Sequence, residues 1–87
     1  MYVILVYDVS ENRVGKACKF CRRYLNWVQN SVFEGDLTDA KLARMKAGLS
    51  KIIDGDEDSV LIYKARTDSA IDREVMGVEK MPTDNIF

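Results

Sequence analysis

Tyr2-Val3-Ile4-Leu5-Val6-Tyr7-Asp8 opens the chain with six consecutive apolar or aromatic residues and closes on a carboxylate. A short, continuous apolar run rich in β-branched and aromatic side chains reads as a strand buried on both faces. It falls well below the ~18–20 residues of a membrane span. It also lacks the basic segment that precedes a signal-peptide core. Asp8 ends the strand. Ser10 is placed to cap a following helix, and Glu11 suits that helix's positive first turn.

From Val14 the apolar residues recur at Ala17, Cys18, Cys21, Leu25 and Val28, at helical spacing. Arg13, Lys16, Lys19, Arg22 and Arg23 fall on the opposite face. Val28 to Glu34 switches to alternation and reads as one strand, with Gly35-Asp36 as its turn. Thr38 caps a second helix whose apolar stripe is Leu42, Met45, Leu49, Ile52 and Ile53. An acidic turn, Asp54-Gly55-Asp56-Glu57-Asp58, leads into the apolar strand Ser59-Val60-Leu61-Ile62-Tyr63. A weaker strand is expected over Glu74 to Val78, interrupted by Gly77. A last short strand is expected over residues 84–87, centred on Asn85-Ile86-Phe87.

This order approximates β-α-β-β-α-β, the split-βαβ arrangement. The expected fold is α+β, a ferredoxin-like sandwich in which the first and third strands are central. The run Ser59–Tyr63 is taken as that third strand. A chain of 87 residues holds one domain, 1–87, and a domain this small has a small core. Two helices cover one face of a sheet. The first strand is apolar on both, so the uncovered face calls for a partner copy, giving a homodimer with sheets packed face to face.

Composition narrows the chemistry. Lys and Arg number 13 against 14 Asp and Glu, for a net charge of −1, which argues against coating nucleic acid non-specifically. The sequence has no histidine, which removes Ser-His and Cys-His nucleophiles and histidine metal sites. Cys18 and Cys21 spell C-x-x-C, but on an apolar helix face and without two further zinc ligands. They read as core packing in a reducing, cytoplasmic compartment. Asp54, Asp56 and Asp58 begin like a calcium loop, but Ser59 and Ala65 stand where the glycine and closing glutamate belong. They read as a solvated turn. The strand Ser59–Tyr63 also lacks the aromatic signature of an RNA-recognition domain.

Two features carry function. Asp8 sits where a central strand ends. By itself it is a strand terminator or helix cap. Paired across a two-fold axis, two such carboxylates repel unless a proton or a hard cation such as Mg2+ intervenes. The basic helix face is either solvated or a phosphate-contacting surface, for which Arg13, Lys16, Arg22 and Arg23 are the candidates.

Three segments, Val6-Tyr7-Asp8-Val9-Ser10, Val28-Gln29-Asn30-Ser31-Val32-Phe33-Glu34-Gly35 and Asp56-Glu57-Asp58-Ser59-Val60-Leu61-Ile62-Tyr63, resemble in order and spacing the CRISPR-associated protein 2 family. The resemblance implies a homodimer with Asp8 as its metal-binding and catalytic aspartate, loaded with Mg2+ or Mn2+. It also implies a C-terminal strand that pairs with the partner's sheet. It implies a prokaryotic antiviral protein of spacer acquisition, acting as a metal-dependent endonuclease on RNA or duplex DNA. Ser10 would orient water or phosphate beside Asp8. The alternative it carries is a non-catalytic DNA-binding adaptor that bridges copies of the CRISPR integrase. Compared with typical members, the chain ends almost at its last strand and is mildly acidic, so its nucleic-acid contacts are expected to be local.

Overall fold

The computed structural model describes residues 1–81. The expected strand at 84–87 lies outside the described residues. Strand β1 spans Tyr2–Asp8, helix α1 Glu11–Cys21, β2 Asn26–Gln29, β3 Val32–Asp36, helix α2 Asp39–Ile52 and β4 Ser59–Ala65, followed by a short 3-10 turn at Asp68–Ala70. The four strands form one sheet in the order β2-β3-β1-β4, with every neighbouring pair antiparallel. This is the expected β-α-β-β-α-β topology.

Strand β1 is central, as its apolar run requires. Val3, Leu5 and Tyr7 point to one side and are buried. Against them pack Ala17 and Cys21 of α1, Leu42, Met45 and Leu49 of α2, Phe33 of β3, and Leu25 and Leu37 from loops. Thr38 caps α2 as expected, its hydroxyl accepting from the Lys41 N–H at 3.1 Å. Cys18 and Cys21 are free thiols. Cys21 is fully buried, and burial pushes its thiol up to about 12, so it stays an inert packing group.

Four expectations are corrected. The single strand Val28–Glu34 is a hairpin, β2 turning into β3 at Asn30-Ser31. Asn30 takes φ 45°, a conformation Asn tolerates. Its carbonyl accepts the Trp27 indole N–H at 3.0 Å. Gly35-Asp36, read as a turn, therefore lies in β3, with Gly35 opposite Val3. The strand at 59–65 becomes the fourth and sits at the sheet edge, while Val32–Asp36 takes the central place. Helix α1 ends at Cys21 rather than running to Val28. Leu25 reaches the core from a loop and Val28 belongs to β2. The segment Glu74–Val78 forms no strand; no regular element follows Ala70 among the described residues.

The two helices meet where Gly48 of α2 faces Phe20 of α1. A Cβ at Gly48 would lie 2.1 Å from Phe20 Cζ. Phe20 is itself held by Tyr24, with ring centroids 5.4 Å apart. Gly48→Ala adds about 1 kcal/mol of helix propensity but overpacks the contact by about 1–3 kcal/mol. The expected net result is a thermal midpoint lower by roughly 4–8 °C, read by calorimetry.

The sheet's other face carries no helix among the described residues. Tyr2, Ile4, Val6 and Asp8 of β1 alternate onto it, and their register places Ala65, Tyr63, Leu61 and Ser59 of β4 beside them. Leu61 is 52% exposed and Tyr63 58%. On the same face, beside Ile4, buried Glu34 of β3 forms an ion pair with Arg73 from the segment that follows β4.

Candidate functional site

Asp8 occupies the last rung of the β1–β4 ladder, opposite Ser59, and its side chain is exposed on the open sheet face. Strand alternation explains the placement. Tyr7 turns into the core, so Asp8 turns away from it. The carboxylate thus stands at one end of an apolar strip formed by Ile4, Val6, Leu61 and Tyr63.

Two loops flank it. Val9 and Ser10 join β1 to α1, and residues 53–58 join α2 to β4. Asp58 ties them together. Its side chain is fully buried. Oδ1 accepts the Ser10 backbone N–H at 2.9 Å and Arg13 Nη2 at 3.1 Å. Oδ2 accepts Arg13 Nε at 2.7 Å and the Asp54 N–H at 2.8 Å. Arg13 Nη2 also donates to Glu57 Oε1 at 2.9 Å. The Arg13 guanidinium, followed by the backbone donors, holds the Asp58 carboxyl well below the usual carboxylate range. Asp58 and Glu57 raise Arg13 in turn. The acidic turn is therefore only partly solvated: Asp56 and Glu57 are exposed, whereas Asp58 is an internal anchor.

Ser10 is the N-cap residue of α1 through its carbonyl, which accepts from the Arg13 and Val14 N–H groups at 2.9 Å each. Its hydroxyl makes no cap bond and donates to Asn12 Oδ1 at 2.7 Å.

The basic candidates divide. Arg13 faces inward to Asp58 and Glu57, with 22% of its side chain exposed. Lys16 and Arg22 are exposed and line one shallow depression with Gly15, Cys18 and Lys19. Arg23 lies over the Phe20 ring, 5.6 Å from its centroid, beside Lys16, Lys19 and Ile52. The α1 surface beyond its first turn therefore presents Lys16, Lys19, Arg22 and Arg23 together, and Arg13 stands apart from them.

Among the described residues no group of three or more Asp, Glu or Cys converges in a way that could hold a metal ion. Asp8 can offer a hard cation carboxylate oxygens at an exposed strand end. Within one protomer the remaining ligands would have to be water or phosphate. One Asp8 from each of two copies fits such an ion better than one alone.

The family model described as CRISPR associated protein Cas2 matches residues 1–72. This chain belongs to the Cas2 family. It is 60% identical to the CRISPR-associated endoribonuclease Cas2 of Thermococcus kodakarensis over 87 residues, all of both chains. It is 56% identical to that of Pyrococcus furiosus, again over the full length of each. Among solved structures, one described as a crystal structure of Cas2 superposes with a TM-score of 0.87 at 44% identity, covering 95% of this chain and 93% of that one. Streptococcus pyogenes Cas2 superposes with a TM-score of 0.75 at 33% identity, covering 88% of this chain and all of that one. The Cas2 membership agrees with the three sequence segments that suggested it. The described β-α-β-β-α-β fold is the one these Cas2 structures share. No helix among the described residues is long and apolar enough to cross a membrane.

Proposed function

We propose that this Cas2 chain is a metal-dependent endonuclease of CRISPR spacer acquisition, acting as a homodimer in the prokaryotic cytoplasm and hydrolysing RNA or DNA phosphodiesters. The observation that carries this reading is the exposed Asp8 carboxylate at the end of a sheet face that no helix covers among the described residues, beside the exposed Leu61 and Tyr63. The relatives' name, CRISPR-associated endoribonuclease, agrees with it. A second copy covering Ile4, Val6, Leu61 and Tyr63 removes apolar surface from water and brings two Asp8 side chains towards one axis. Two carboxylates there favour a divalent cation, Mg2+ or Mn2+, held through oxygen. When bound, such an ion polarises the phosphodiester and acidifies an attacking water. The chain's own part is to hold that ion and place the phosphate. Ser10, whose hydroxyl oxygen keeps acceptor capacity, lies two residues from Asp8 to orient water or phosphate. Metal-dependent cleavage of single-stranded RNA and duplex DNA by the purified chain, with and without chelator, tests the reading. Cleavage unaffected by chelation would remove the metal from it.

The α1 surface supports a second reading, a non-catalytic adaptor that holds DNA by its backbone between copies of the CRISPR integrase. Arg22, the C-cap of α1, lies six residues from Lys16, roughly 9 Å at 1.5 Å per residue. In a dimer the basic set of Lys16, Lys19, Arg22 and Arg23 appears twice, which suits a duplex. Replacing Lys16, Arg22 and Arg23 by Gln is expected to flatten the log–log salt dependence of duplex binding by about 0.9 for each phosphate that is no longer neutralised, with sequence preference unchanged. Arg13, engaged by Asp58, is expected to contribute less to that slope than any of the three. An unchanged slope in the triple variant would place the DNA surface elsewhere.

A further inference from the structure

We propose that Asp58 is the positioning residue for Asp8, holding the loop that follows β1 so that the Asp8 carboxylate is presented at a fixed place. The inference rests on the role given to Asp8 above. Asp8 is restrained on one side by its rung with Ser59, the residue after Asp58. On the other side, the first hydrogen bond beyond it is Ser10 N–H to Asp58 Oδ1. Residues 58 and 59 thus fix the backbone both at Asp8 and two residues past it. Arg13 closes the arrangement by tying the first turn of α1 to both oxygens of Asp58.

The site demands a carboxylate. Each Asp58 oxygen accepts two donors, the Ser10 N–H and Arg13 Nη2 on Oδ1, the Asp54 N–H and Arg13 Nε on Oδ2. An asparagine has one acceptor oxygen and one NH2 group, so in either orientation its NH2 faces two donors. Asp58→Asn therefore keeps the shape but gives up the Ser10 N–H in one orientation and the Asp54 N–H in the other, whereas Asp58→Ala removes both acceptors and releases both loops. Released, the loop moves Asp8, and a misplacement of about 1 Å is enough to lower a rate by roughly a hundredfold.

The test uses the full chain, with Asp58→Ala beside wild type. Three quantities are measured: hydrogen exchange of the Ser10 amide, Mn2+ affinity by the resonance of the free ion, and steady-state cleavage. The expected result is at least about tenfold faster Ser10 exchange, with Val3 and Leu5 of the central strand still protected. Mn2+ affinity should fall about tenfold and kcat roughly tenfold to a hundredfold, with KM within threefold because the α1 phosphate contacts are intact. A merely structural role would lower stability and leave Mn2+ affinity and kcat of the folded fraction at wild-type values; that outcome overturns the proposal. Should Asp58→Ala not fold, Asp58→Asn keeps the shape and gives up one of the two backbone donors. Wild-type Mn2+ affinity together with wild-type exchange at both Ser10 and Asp54 in that variant overturns the proposal equally. A wild-type chain that neither cleaves nor binds Mn2+ would instead sink the role given to Asp8. The claim that Asp58 holds the loop is then decided by Ser10 exchange alone, an unchanged rate refuting it.

Discussion

Asp8→Asn is expected to abolish metal-dependent cleavage, by at least about a thousandfold, while leaving the fold and the dimer intact. The substitution keeps the volume of the side chain and its place on the last β1–β4 rung, opposite Ser59. It removes the charge that an oxygen-binding divalent cation requires. Among the described residues no acidic cluster stands ready to replace it, and the sequence has no histidine. Loss of the ion removes both polarisation of the phosphodiester and activation of water, so the effect is large. Because Asp8 is exposed and makes no internal salt bridge among those described, stability should change little. In the proposed dimer two Asp8 carboxylates would face each other and repel, so the variant should dimerise as well or better. Cleavage at the wild-type rate in highly purified Asp8→Asn protein would refute the site. The same protein assayed for spacer acquisition separates the two functional readings. Acquisition retained with cleavage lost favours the adaptor, and acquisition lost with DNA binding intact favours the nuclease.

Much of the fold is legible from periodicity. Strand β1 announces itself by its unbroken apolar run, and α2 because its apolar stripe and Thr38 cap coincide with a helix of 14 residues. What periodicity hides is the β2–β3 hairpin. Val28 to Glu34 can be read as one strand, and the local signs of the turn are the polar run Gln29-Asn30-Ser31 and Asn30 itself, a residue that tolerates φ 45°. Without that turn the strand count falls by one, and 59–65 moves from the edge to the centre. Leu25 misleads for a related reason. It lies at helical spacing from Cys21, but it reaches the core from a loop after the helix has ended. Tertiary packing and helical spacing make the same pattern there.

The exposure of Asp8 can be read from its place at the end of the strand. The hydrogen bonds of Asp58 cannot. An aspartate in an Asp-Gly-Asp-Glu-Asp turn is ordinarily satisfied by water, and nothing local distinguishes the last of the three. Its partner Arg13 lies 45 residues earlier, and the two meet only when β4 docks beside β1. The same pairing removes Arg13 from the exposed basic set, where helical spacing alone places it. Charge patterns along a helix say which residues share a face. They do not say which of them the rest of the chain will neutralise.

Leu61→Lys is expected to turn the dimer into a folded monomer at micromolar concentration. Leu61 lies on β4 beside Val6, on the face without helices, and is 52% exposed in the protomer. Its side chain is thus available to a second copy and little used by the protomer's own core, so the variant should fold and melt within about 0.5 kcal/mol of wild type. In a symmetric dimer each substitution counts twice. Burying the exposed half of a leucine contributes about 1 kcal/mol per copy. Placing a lysine there adds the desolvation of two ammonium groups. Together these exceed about 3 kcal/mol, more than a hundredfold in the dissociation constant. Sedimentation equilibrium reads the outcome directly, and Lys64 on the same strand is the control position. Its alternation places it on the other face of β4, so Lys64→Glu should leave the dimer unchanged. If the Asp8 carboxylates act only as a pair, monomeric Leu61→Lys should lose cleavage and Mn2+ affinity along with dimerisation, although Asp8 and its loop are untouched. A Leu61→Lys protein that sediments as a dimer would place the interface on another face. One that sediments as a monomer and still cleaves would show that a single Asp8 suffices.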